Sequence, residues 1–149
     1  MKIYFAGAIR AGRDDAAIYE KMIAWLRQFG EVLTDHVGDP ALSSKGDDGP
    51  SDRHIYERDM AWLAQSDLVV AEVTTPSLGV GYELGRATAL KKPVLCLYRE
   101  QPERPLSAMI AGDPAIKTAA YGSMDEAKTI IEAFIRKVAE EKKLSLGGG

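Results

Sequence analysis

The chain has 149 residues, 46% of them hydrophobic and 28% charged, with a net charge of −3 and a pI near 5.4. That length suffices to bury one core, and the slight acidity argues against the basic footprint of a nucleic-acid or membrane-surface binder. No apolar run reaches membrane-spanning length, "MKIYFAGAIR" is charged too soon for a signal peptide, and the single Cys96 allows no internal disulfide, which suits a reducing cytoplasm.

Strand and helix signals alternate along the chain. "KIYFAG" (2–7) is an apolar run stopped by glycine, and residues 14–30 place Ile18, Met22, Trp25, Leu26 and Phe29 at helical spacing. "EVLTDHV" (31–37) predicts a second, weaker strand, and the Gly-, Pro-, Ser- and Asp-rich residues 38–52 an exposed loop. A helix over 53–66 leads to a buried strand, Asp67 to Val73. A third helix continues through Leu84 to Lys92, and Pro93 opens the strand "VLCLYR". Residues 100–115 read as a loop with one helical turn, 116–121 as the last strand, and Ser123 as the cap of a helix ending about Lys143. Residues 1–144 therefore form one domain, and 145–149 ("SLGGG") a disordered tail.

Five strands alternating with helices predict an α/β fold, a flavodoxin-like or Rossmann-like three-layer sandwich with a five-stranded parallel sheet. Ligands in such sheets bind beyond the carboxyl ends of the strands. Four segments lie there: "AGAIRAGR" (6–13), "TDHV" (34–37), "TTPSLGVGYE" (74–83) and "REQPERPLS" (99–107).

The third is the most informative. Between strand and helix it holds Thr74, Thr75 and Ser77, then Gly79 and Gly81, then one acid, Glu83. Glycines admit close backbone approach, and a helix starting about there would offer free N–H groups to an anion. Glu83 is then expected in the first helical turn, where the macrodipole favours the ionised carboxylate. It would serve there as base, metal ligand or nucleophile, or simply stabilise the helix start. The Walker ending, the G-x-G-x-x-G spacing, H-E-x-x-H and a G-x-S-x-G elbow around Ser77 are all missing, so neither a metal nor a cofactor is implied. Asp59, in "YERDMAWL", precedes the same strand, and it is either a solvated helix residue or a partner for Glu83. Two carboxylates about 5–5.5 Å apart are the arrangement of a retaining glycosidase.

"IYFAGAIRAGR", "LTDHV", "DMAWLAQSDLVVAEVTTPSLGVGYELGRA", "KPVLCLYR" and "LSAMI" together resemble the nucleoside 2-deoxyribosyltransferase superfamily. Within it, they resemble the 2′-deoxynucleoside 5′-phosphate N-hydrolase branch. The resemblance spans the chain to about residue 112. It implies that Glu83 is the nucleophile attacking the anomeric carbon, that Asp59 sits near the leaving base and the sugar, and that Tyr4 orients the nucleophile. Ser77 matches a phosphate contact, and Ser107 a second one supplied across a homodimer interface. Gly7, Ile9 and Arg10 match the loop lining the phosphate and base pocket, with Gly79 beside them, and His36 matches a base-side position. Where relatives often carry serine, this chain has Ala8, which puts one polar substrate contact in doubt.

The serine at 77 has its own physical meaning. Family members acting on free nucleosides carry a carboxylate there, which would repel a 5′-phosphate; a hydroxyl beside helix amides accommodates one, and Arg10 would add a charge-assisted bond. The expected activity is hydrolysis of the N-glycosidic bond of 2′-deoxynucleoside 5′-monophosphates, giving free base and 2-deoxyribose 5-phosphate in the cytoplasm. The alternatives are transfer of the deoxyribosyl group to a second base and a non-catalytic nucleotide-binding module.

Overall fold

The computed structural model describes residues 1–10, 14–38 and 50–147. One parallel sheet has the strand order β2-β1-β3-β4-β5, where β1 is Lys2–Ala6, β2 Glu31–Val32, β3 Leu68–Glu72, β4 Val94–Tyr98 and β5 Ile116–Ala120. The helices are α1 (Ala16–Leu26), α2 (Asp52–Gln65), α3 (Leu78–Ala89), the short α4 (Ala108–Ala111) and α5 (Met124–Gly147). Of the two expected types, this order is the flavodoxin-like one, with its switch point between β1 and β3.

Alternation along β1 explains how the layers form, because successive side chains of a strand point to opposite faces. Ile3 and Phe5 join a core with Tyr19, Met22 and Leu26 of α1 and Ile131 and Phe134 of α5. Tyr4 and Ala6 face the other way, into a core with Leu63 of α2 and Val80, Leu84 and Ala87 of α3. Every residue of β3 is buried, as in a strand covered on both faces. Tyr4 is therefore an aromatic of the α2/α3 layer, and its hydroxyl lies where those helices meet.

Three boundaries differ from the sequence reading. The second strand ends at Val32 rather than Val37. The buried Thr34 takes the place of the ladder: its Oγ1 accepts from the Phe5 N–H at 2.8 Å and donates to the Phe5 carbonyl at 2.6 Å. A 3-10 turn, Asp35–Gly38, then carries His36 off the sheet. Helix α3 starts at Leu78, because the Ser77 hydroxyl accepts from the Val80 N–H at 3.3 Å and so caps it. Helix α5, capped at Ser123 as expected, continues to Gly147, through three of the five residues read as a disordered tail. Lys142, just before that extension, pairs with Asp67, the residue preceding β3. Residues 11–13, most of the loop expected over 38–52, and Gly148 and Gly149 lie outside the described residues.

Candidate active site

A cleft of about 660 Å³ lies between helices α2 and α3 and the segment that follows β1. Seven of the expected residues line it: Gly7, Ile9 and Arg10 after β1, His36 in the 3-10 turn, Asp59 of α2, and Gly79 and Glu83 of α3, joined by the capping Ser77 at its edge. Tyr4 lies beneath, only 1% exposed, close enough to both carboxylates for each to raise its pKa. One expected residue is elsewhere. Ser107 lines a separate groove of about 610 Å³ on the far side of the α3 N-terminus, and Ser77 borders both.

Local structure fixes each position. Ile55, Tyr56, Asp59 and Met60 share one face of α2, a turn apart, and Leu63 anchors that helix in the core. Along α3, Val80, Leu84 and Ala87 face the sheet, which turns Glu83 toward α2. Gly7 is a steric requirement, because a β-carbon there would meet the Tyr19 ring at 2.9 Å. At Gly79 the nearest atom is the Ser77 hydroxyl at 3.8 Å, so its backbone faces open space. Ala8 is fully buried and presents no polar side-chain atom to the cleft.

The electrostatics correct one expectation. Glu83 falls in the second turn of α3, beyond the reach of the macrodipole, and the first turn holds no acid. Its pKa is not lowered. Burial in the cleft wall, reinforced by the field of Asp59, pushes it up to about 8, against a smaller opposing effect of a hydrogen bond with Tyr4. The Tyr4 phenol is driven well above its ordinary range, first by burial and then by Glu83 and Asp59, so it remains a donor.

Sequence reasoning missed the cation that accompanies this pair. Arg58 Nε lies 3.0 Å from Asp59 Oδ1, its guanidinium sits 4.8 Å over the Trp62 ring, and its Nη2 is 3.4 Å from His36 Nε2. It links His36 to the carboxylate beside an aromatic platform. A signal was present, since Arg58 and Trp62 are four apart on one helix face. Arg10 is not free either: it pairs at 2.7 Å with Asp52, both largely exposed. Tyr56 and Tyr82 pack edge to face at 6.2 Å across the mouth. Among the described residues, no three His, Cys, Asp or Glu side chains group as metal ligands. Nor does any helix have the length and apolarity to cross a membrane.

The family model for nucleoside 2-deoxyribosyltransferases matches residues 3–137. The chain belongs to that family. The 5-hydroxymethyl-dUMP N-hydrolase of Mus musculus is 50% identical over 139 residues, covering 93% of this chain and 79% of the mouse protein. The protein of the same name in Danio rerio is 48% identical over 143 residues, covering 94% and 99%. Among solved structures, BlsM superposes with a TM-score of 0.71 at 22% identity, over 95% of this chain and 93% of BlsM. The CMP N-glycosidase BcmB of Clostridium botulinum gives 0.62 at 17%, over 89% and 99%. These two likenesses are of fold.

The raised Glu83 pKa fixes the sign of a pH effect. The folded carboxyl keeps its proton up to about pH 8, whereas the unfolded one loses it near 4.5. Between those limits the folded state binds more protons, so this group's contribution to stability falls as pH rises. Glu83→Gln, which cannot ionise, should melt increasingly above wild type as pH goes from 5 to 8.5. Parallel melting curves across that range would contradict the assignment.

Proposed function

We propose that the protein hydrolyses the N-glycosidic bond of 2′-deoxynucleoside 5′-monophosphates, releasing the base and 2-deoxyribose 5-phosphate. The observation that carries this reading is the Glu83–Asp59 pair over the Tyr4 phenol, beside a helix N-terminus capped by a serine instead of an acid. The relatives' names agree with it, and they make 5-hydroxymethyl-dUMP the first nucleotide to assay.

In this mechanism the Glu83 carboxylate attacks C1′. The C1′–O bond to the enzyme forms as the C1′–N bond breaks, and the electron pair leaves with the base, which gains a proton from the Asp59 side. Water then attacks C1′, the ester C1′–O bond breaks, and Glu83 is regenerated while Asp59 takes the water's proton. Below about pH 8 the proton of this pair sits on Glu83, so it must first pass to Asp59, which leaves Glu83 ionised for attack and Asp59 protonated for the leaving base. Tyr4 donates to the nucleophile and holds its orientation, and Arg58 keeps Asp59 in place. Ser77, still able to donate its own proton, and the first amides of α3 receive the phosphate. Arg10 joins them by exchanging Asp52 for the phosphate, and Gly7, Ile9, Gly79 and His36 line the remaining walls.

The proposed assembly is a homodimer with shared sites. Leu78 and Met109 are 97% and 81% exposed at the rim of the groove that holds Ser107. Covering that apolar rim with a second copy would bury it and bring the partner subunit's Ser107 toward Ser77.

Chromatography of free base separates the readings. 5-Hydroxymethyl-dUMP and the ordinary deoxynucleotides should be cleaved without an added base, unphosphorylated deoxynucleosides far more slowly, and Glu83→Ala should lose at least about 10²-fold. Turnover that requires a second base would mean a transferase, and no turnover of any substrate a binding module. The shared site has its own test. Glu83→Ala and Ser107→Tyr, each inactive alone, should recover roughly a quarter of wild-type activity after subunit exchange at equal amounts, since half the dimers are mixed and carry one intact site. An exchanged mixture that stays inactive would return Ser107 to its own subunit.

A further inference from the structure

The two threonines of "EVTTPS" take no part in the mechanism above, yet both are tied down by groups far away in the chain. Strand β3 ends on Glu72, which is completely buried. One of its oxygens accepts from the Thr74 N–H at 2.6 Å and the other from the Tyr121 hydroxyl at 2.7 Å, just past β5. Arg99, after β4, places its guanidinium 3.7 Å from that second oxygen and 2.7 Å from Asp15. Asp15 stands at the N-cap position of α1 but makes no capping bond. Its free oxygen instead accepts from the Thr75 hydroxyl at 3.0 Å. The circuit closes on Thr74, whose hydroxyl accepts from the Arg99 backbone N–H at 2.9 Å.

Each group in this circuit is suited to its place. Burial pushes the Tyr121 hydroxyl well above its ordinary range, and the bond to Glu72 adds to this, so it stays a donor. Asp15 is 8% exposed and Thr74 7%, which leaves little access for water to compete. A helix that leaves its N-cap aspartate unused for capping gives up a stabilising bond, and here that carboxylate holds a loop belonging to another strand. The loop leads directly through Pro76 to Ser77 and the first turn of α3.

We propose that Glu72, Arg99 and Asp15 are positioning residues, which act through Thr74 and Thr75 to hold Ser77 and the α3 N-terminus in place for the substrate's phosphate. This rests on the phosphate reading given under Proposed function. The three touch neither Glu83 nor the cleft it lines, so their effect is confined to the phosphate end. A preformed anion site spends no binding energy on ordering its own backbone, and phosphate binding energy then goes to orienting the sugar.

The readout is the ratio of kcat/KM for a deoxynucleotide to that for the same deoxynucleoside. A variant that merely destabilises the fold lowers both values and leaves the ratio unchanged. Thr75→Val removes one hydroxyl at nearly constant shape, and Asp15→Asn weakens the same link from its other end. Each should reduce the ratio about ten-fold or more, as for the loss of a hydrogen bond to a charged group, chiefly through KM for the nucleotide. Thr75→Ser, which restores the hydroxyl, should return it to within about two-fold of wild type. Circular dichroism melting confirms that the variants compared are folded. An unchanged ratio in folded Thr75→Val or Asp15→Asn, beside a high wild-type ratio, would overturn the positioning role while leaving the phosphate reading intact. A wild-type ratio near one would remove both.

Discussion

Withdrawing the Glu83 carboxyl from water, a short distance from a second carboxylate, raises its pKa to about 8. Most of the architecture around the cleft either creates that situation or compensates for it. The sheet sets Tyr4 beneath the pair because alternate residues of β1 face the α2/α3 layer, and the apolar face of α3 leaves Glu83 only one direction to point. Arg58, held over Trp62, places a positive charge beside Asp59 in this half-buried pair. An isolated charge in such surroundings would be costly, whereas a carboxylate pair with one donor phenol and one guanidinium is sustainable. The result is a group poised near neutrality in place of a permanently ionised one.

The site has two ends with different physics. At one end lie titratable groups in poor solvent. At the other, the Ser77 hydroxyl caps α3, and under the proposed function it and the first amides of that helix would receive the phosphate, which a carboxylate there would repel. The Glu72–Arg99–Asp15 circuit stiffens that second end from behind, tying the carboxyl ends of β3 and β4 and the residue after β5 to the start of α1. Such circuits are costly to leave half made, which favours one arrangement of the loop they hold.

Much of this was legible in the sequence, for identifiable reasons. The alternation of apolar runs gave the five strands in their order, and "TTPSLGVGYE" marked the strand-to-helix turn at the ligand side of the sheet. The cap at Ser123 followed from residue type alone. What escaped was whatever depends on contacts between distant segments. The second strand looked longer because "EVLTDHV" has strand propensity, but the Thr34 hydroxyl satisfies both backbone groups of Phe5 and ends the ladder. Helix α3 was expected to begin about the glycines at 79 and 81; it begins at Leu78, one to three residues earlier, where the Ser77 cap fixes its start. The Glu72 circuit joins residues 49 and 60 positions apart, which no local pattern encodes. The sign of the Glu83 shift was missed for the same reason, since it reflects burial and Asp59 rather than the turn it occupies.

The central claim is that Glu83 forms a covalent bond to the sugar, and the most direct measurement is rapid acid quench of the wild-type enzyme with 5-hydroxymethyl-dUMP, followed by intact-protein and peptide mass spectrometry. The account predicts a transient mass increase equal to one 2-deoxyribose 5-phosphate residue, mapped to the peptide carrying Glu83, which appears with the first release of base and decays as the sugar phosphate is freed. Full turnover under the same conditions with no adduct at any time point, or an adduct on a peptide without Glu83, would contradict it.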